Sequence, residues 1–176
     1  MEIARRIFLR ALESVDPHRI VKGYAEKVVS YASMKNMSRI VVVGFGKASF
    51  QMAEAVEDVF PHDLLSGGII VTKYGHAGTR GSGINSLKKI KVFEAGHPIP
   101  DEKGIRATGE IINLLRGSDE ETLVVCLVSG GGSALFVSPY EGITLKEKQV
   151  VTDLLLRSGA DITELNAVRK HLSLVP

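Results

Sequence analysis

Apolar positions in this chain change spacing along its length, and the changes mark its elements. Residues 2–15 place Ile3, Ile7, Phe8, Ala11, Leu12 and Val15 three and four apart, the spacing of one helical face. Asp16-Pro17 breaks that helix and opens a second. The second carries Ile20, Val21, Tyr24, Val28 and Tyr31 and ends near Met34-Lys35-Asn36. Short apolar runs follow at Ile40–Val43, Gly67–Thr72, Ile90–Phe93 and Leu123–Val128, and read as strands. Between them, Ala48–Phe60 and Glu102–Leu115 return to helical spacing. Thr144 with Glu147, and Asp161 with Glu164, read as capping boxes that open two last helices. The first of these stops at Gly159, and the second runs through His171 or beyond.

Strands that alternate with helices predict an α/β fold: a Rossmann-like parallel sheet with helices on both faces, preceded by N-terminal helices. One such domain is expected over residues 1–176. Right-handed crossovers gather the loops after the strands along one edge. The unbroken apolar run Leu123–Val128 reads as a central strand buried on both faces, with Cys126 as a small core residue.

Composition narrows the function classes. The 22 basic and 20 acidic residues leave a net charge of +2, too little to argue for nucleic acid. A single cysteine excludes an intrachain disulfide. No N-terminal stretch has the pattern of a signal peptide, and no apolar run is long enough for a membrane span. The expectation is a cytoplasmic chain with no nucleic-acid and no membrane partner.

Candidate chemistry lies in the loops after the strands. Leu123–Val128 empties into Ser129-Gly130-Gly131-Gly132-Ser133, where bare backbone amides can approach an anion. A plain turn needs fewer glycines, so a ligand cradle is favoured over a turn. Ser129 is not expected as a nucleophile, because the Gly-x-Ser-x-Gly elbow is absent. Gly44-Phe45-Gly46-Lys47 follows the first strand. Ser49 stands where a dinucleotide fingerprint needs its third glycine, and Thr72-Lys73 stands where a ribose-binding acid belongs. Val41 stands where a Walker A loop needs a glycine. What survives is a lysine at the start of a helix, beside an already positive terminus, which an intervening anion would make sensible. A solvated surface lysine is the equal alternative.

Lys73 and His76 follow the second strand, and His97 follows the third in a rigid Pro-x-Pro loop. Each is a candidate ligand contact or a solvated loop residue. On the last helix, Asn166, Arg169, Lys170 and Ser173 share a side that reads as a solvated face, opposite a buried side of Ile162, Leu165, Val168 and Leu172. No residues have metal-ligand spacing.

Taken in order, Gly44-Phe45-Gly46-Lys47-Ala48, Val71–His76, Glu94–Asp101, Leu127–Phe136 and Asn166–Ser173 resemble the glycerate 2-kinase family, the class II glycerate kinases once labelled hydroxypyruvate reductases. The resemblance covers the whole chain. It implies phosphorylation of D-glycerate to 2-phosphoglycerate with ATP and Mg2+ or another divalent cation. It implies Lys47 as the catalytic lysine, Ser129–Ser133 as the loop near the substrate cleft, and Arg169 with Lys170 as a basic pair leading to it. Substrate or phosphate contacts are expected at Gly44, Gly46, Lys73, His97, Ser129, Gly130, Gly131, Gly132, Ser133, Arg169 and Lys170. Members of that family are much longer. The chain is therefore expected to be an N-terminal portion, inactive alone, with a homo-oligomer or a complementing C-terminal half left open as partners. Two further readings stay open: an NAD(P)H-dependent hydroxypyruvate reductase, and a non-catalytic anion-binding or nucleotide-binding module.

Overall fold

The computed structural model of the chain describes residues 1–78 and 87–175. Helices α1 (Glu2–Ser14) and α2 (Pro17–Met34) lead into strand β1 (Arg39–Phe45). Helix α3 (Ser49–Val59), strands β2 (Leu65–Lys73) and β3 (Ile90–Ala95), helix α4 (Glu102–Arg116) and strand β4 (Thr122–Val128) follow. A single turn, α5 (Gly132–Leu135), and helices α6 (Leu145–Arg157) and α7 (Ile162–His171) complete the order.

The helix starts are fixed by local chemistry. Asp16 accepts a hydrogen bond from the Arg19 amide, with Pro17 at the first helical position of α2. Asp101 accepts from the Gly104 amide at the start of α4. Both expected capping boxes are formed, at Thr144 with Glu147 and at Asp161 with Glu164.

The four strands make one parallel sheet in the order β3-β2-β1-β4. Alternate residues of β1 and β2 feed two separate cores. Ile40, Val42 and Ile70 pack with Phe50, Ala53 and Val56 of α3, backed by Ala25 and Ala32 of α2. Val41, Val43, Ile69 and Val71 pack with Ala107 and Ile111 of α4 and with Leu135 and Phe136. A parallel α/β sheet with N-terminal helices is therefore present as expected.

Three expectations need correction. The Leu123–Val128 run lies in the edge strand β4, and β1 is the strand flanked on both sides. Val124, Cys126 and Val128 pair in register with Val41, Val43 and Phe45, so they point to the α4 side of the sheet. Helix α4 packs over β2 and β3 instead, which leaves those three side chains exposed. Cys126 is thus an exposed thiol rather than a core residue. Finally, the faces of α7 are not divided as its pattern suggests: Ile162 is 69% exposed, whereas Arg169 is only 9% exposed.

The glycine-rich stretch of sequence from Gly75 to Gly83 falls partly outside the described residues, as does Pro176. Among the described residues, no helix is long and apolar enough to cross a membrane.

One buried hydroxyl ties the segment after α5 to the sheet-covering helix. Thr108 donates to the Gly104 carbonyl and accepts the Val137 amide, each at 2.8 Å. Thr108→Val keeps the volume and strands that amide, so it is expected to lower stability by about 1–3 kcal/mol in urea unfolding. Thr108→Ser, which keeps the oxygen, is expected to retain most of that stability.

Candidate functional site

All four strands end on the same edge, and the turns after β1 and β4 lie side by side there. The chain leaves β1 for β2 on one side, while β4 lies on the other. A crevice at such a reversal is where open α/β sheets bind ligands. Here the two turns are stitched together. Gly46 has φ +127°, and a Cβ on it would stand 2.1 Å from Ser129 Oγ, so only glycine fits. The Lys47 amide donates to the Gly130 carbonyl at 3.0 Å, and the Ala48 amide donates to Ser129 Oγ at 3.0 Å. The Ser129 amide in turn donates to the Phe45 carbonyl.

This stitching anchors the Lys47 backbone and leaves its side chain exposed. The Lys47 carbonyl also accepts from Thr72 Oγ1 and lies 3.1 Å from His76 Nδ1. Among the described residues, Lys47 Nζ has no hydrogen-bond or ion-pair partner. Gly131 faces it: a Cβ there would lie 2.7 Å from His97 Nε2 and 3.4 Å from Lys47 Cε. Lys47, His97 and the glycine loop thus lie together at this edge. Burial lowers the pKa of His97 below 6.5, and the nearby charges of Lys47, Lys73 and Arg169 lower it further. At pH 7 the ring is neutral and ringed by cations.

The three consecutive glycines have different reasons. Gly131 has φ +90° and crowds His97. A Cβ on Gly132 would strike the Phe45 ring at 2.7 Å, the ring that stacks on Phe136. Gly130 has open space around it. Gly44 lies buried inside β1, where a Cβ would meet the Leu127 carbonyl at 2.9 Å, so sheet packing accounts for it. Ser129 spends its hydroxyl as an acceptor in the stitch. Ser133 lies in the α5 turn, one residue after its start at Gly132.

Helices α6 and α7 are tied to this edge. Gln149 donates to the Pro100 carbonyl in the loop that carries His97. Beyond α7, Leu174 and Ser173 bond to the Ser138 carbonyl, and Tyr140 to the Leu172 carbonyl. Arg169 is thereby held near the edge and buried, while Lys170 stays exposed. Sequence reasoning missed Lys148 altogether. It is 2% exposed on α6, next to the α7 carbonyls. A lysine within an amphipathic helix carries no signal of burial in its pattern.

A cavity of about 510 Å³ lies elsewhere, at the opposite edge where β2 and β3 begin. One of its acids, Glu57, already accepts the backbone amides of Lys88, Lys89 and Ile90. The edge with unpaired positive charge is therefore the better candidate site. Among the described residues, no group of three or more His, Cys, Asp and Glu gathers to hold a metal ion.

A family model described as a domain of unknown function, DUF4147, matches residues 3–176. The chain belongs to that family. A glycerate 2-kinase from Pyrococcus horikoshii is 42% identical over 99% of this chain and 38% of its own length. A protein from Agrobacterium vitis, provisionally named a hydroxypyruvate reductase, is 45% identical over 99% of this chain and 36% of its own length. The crystal structure of a glycerate kinase from Thermotoga maritima superposes with a TM-score of 0.79 at 39% identity, covering 99% of this chain and 39% of that one. The chain thus spans less than two-fifths of the length of these relatives.

Two outcomes are expected at this family member's edge. Gly130→Ala should change unfolding free energy by no more than about 0.5 kcal/mol, whereas Gly131→Ala should cost about 1–3 kcal/mol for its left-handed backbone alone. In NMR titration, His97 should show a midpoint below 6.5, and Lys47→Met should raise it by removing a nearby charge. The linkage has a definite sign. A histidine with a lowered folded pKa supports stability fully above its unfolded value, and that support is lost as pH falls from 6.5 toward the folded midpoint.

Proposed function

We propose that this chain carries the anion-handling part of an ATP-dependent kinase that phosphorylates D-glycerate to 2-phosphoglycerate. The observation that carries the reading is the unpaired Lys47 set against Gly131 and His97 at the strand-end crevice, in a chain similar over its whole length to glycerate kinases. Phosphoryl transfer asks a protein chiefly for positioning and for neutralisation of spreading negative charge. Lys47 supplies a point charge with nothing described to compete for it. Its backbone is pinned by Gly130, Thr72 and His76, which fixes the point on the turn from which the side chain leaves. Lys73 adds positive potential from the end of β2. His97, neutral at pH 7, offers a hydrogen bond without adding charge. Arg169 orients the glycerate carboxylate, and Lys170 adds charge at the rim.

The reductase reading has less support. Ser49, in the third-glycine position, is fully buried, with its Oγ 2.8 Å from the Gly46 carbonyl and 3.1 Å from the Val71 carbonyl. That serine fills the space a dinucleotide pyrophosphate turn leaves to glycine. Strand β2 ends in Lys73 rather than an acid.

The chain alone is proposed to bind anions without turnover, because it matches under two-fifths of the length of its kinase relatives. The test is a chimaera in which residues 1–176 replace the matching segment of the Thermotoga maritima D-glycerate 2-kinase. It should phosphorylate D-glycerate with ATP and should not oxidise NADH with hydroxypyruvate. Lys47→Ala in the chimaera should lower kcat by about 10²-fold or more without changing the unfolding transition. Near-normal turnover in that variant would remove Lys47 from the mechanism, and NADH oxidation would favour the reductase.

A further inference from the structure

Behind the crevice, a second cavity of about 210 Å³ opens among Ser133, Lys148, Asn166, Arg169, Lys170 and Ser173. By volume it has room for roughly seven waters, enough for a small polyatomic anion. No acidic residue lines it. Two of its cations are buried: Lys148 is 2% exposed and Arg169 is 9% exposed. Among the described residues, Arg169 Nε and Nη2 are buried without a hydrogen-bond partner. Among the described residues, Lys148 Nζ reaches the Arg169 and Leu172 carbonyls, each at a long 3.4 Å. Among the described residues, neither cation has a carboxylate partner.

Burying one unpaired charge is costly, and burying two like charges together is worse. Proteins place like charges at such a point when something of opposite sign completes it. We infer that this cavity is a binding site for a small oxyanion, a carboxylate or a phosphate, clamped between the Lys148 ammonium and the Arg169 guanidinium. The guanidinium has unpaired N–H donors at this point, and Ser133 adds a hydroxyl on the same lining, whereas Ser173 Oγ already donates to the Ser138 carbonyl. Burial, and then Arg169, push the Lys148 pKa down to about 8, as expected of an ammonium awaiting a counter-charge. The choice of D-glycerate as one probe rests on the kinase reading; the site itself rests on the two buried cations.

The alternative is that Lys148 merely holds the carbonyls at the end of α7. Thermal unfolding of the 176-residue chain separates the two. Inorganic phosphate or D-glycerate should raise Tm beyond the effect of sodium chloride at matched ionic strength. A response to phosphate alone marks a phosphoryl site, and a response to D-glycerate alone marks a carboxylate site. Lys148→Met keeps the buried stem and removes the charge, so it should be at least as stable as wild type without anion. It should need about tenfold more anion for the same shift, the loss of one charge-assisted hydrogen bond. No anion-specific shift, or an equal response from Lys148→Met, overturns the inference. NMR on the wild-type chain gives an answer that needs no variant. The Arg169 Nε–H resonance should move over the same anion range, and a resonance that stays still overturns the inference. Failure of the chimaera to phosphorylate D-glycerate would sink the kinase reading and leave this result untouched.

Discussion

The turns after β1 and β4 touch where a methyl group on Gly46 would stand 2.1 Å from Ser129 Oγ, and that approach sets the geometry of the whole edge. It permits the Lys47 amide to reach Gly130 and the Ala48 amide to reach Ser129. Those bonds hold the glycine loop at a fixed height over the strand ends. Gly131 is thereby brought against His97, and Lys47 against both. Packing reinforces the arrangement, because Phe45 at the end of β1 stacks on Phe136 just past the glycine loop, 4.5 Å between ring centres. A side chain at residue 46 would part the turns and scatter every group that depends on them.

Much of the fold was legible because the relevant forces are local. Helix starts follow from Asp16-Pro17 and from side-chain oxygens at Thr144 and Asp161, each of which accepts an amide of the first turn, as Asp16 also does. Strand positions follow from short apolar runs. The order of strands within the sheet is another matter. Leu123–Val128 is as apolar as Ile40–Val43, yet one is an edge and the other a centre. Apolarity records that a strand avoids water, not which segment of chain excludes it. In β4 the α3 side is covered, as the 5% exposure of Leu127 shows, while Val124 and Val128 on the other side stand 39% and 56% exposed.

The site was legible in part for a similar reason. Lys47, His97 and Gly131 each follow a strand, and parallel topology forces strand ends together. The cavity behind them depends on how α6 and α7 dock, which no periodicity records. The buried positions of α6 are Lys148 and Thr152, while its Val150 and Leu154 are exposed. On α7 the buried pair is Leu165 and Arg169, i and i+4 on one face. A hydropathy pattern assigns such faces by the residues that prefer to be dry. Here backbone tethers at Pro100 and Ser138 decide which side turns inward.

That inversion has an energetic consequence. Two helices that bury a lysine and an arginine, while exposing leucine, valine and isoleucine, give up stability that the opposite rotation would have gained. Helix α1 shows the same surplus of unburied apolar surface at Ile3, Ile7, Phe8 and Leu12. Exposed apolar stripes of this extent mark surfaces meant to be covered. The buried cations are different in kind, because covering them more deeply with apolar surface would only raise their cost. They are relieved by negative charge, and the edge they back onto gathers Lys47 and Lys73 around His97, so its potential is positive.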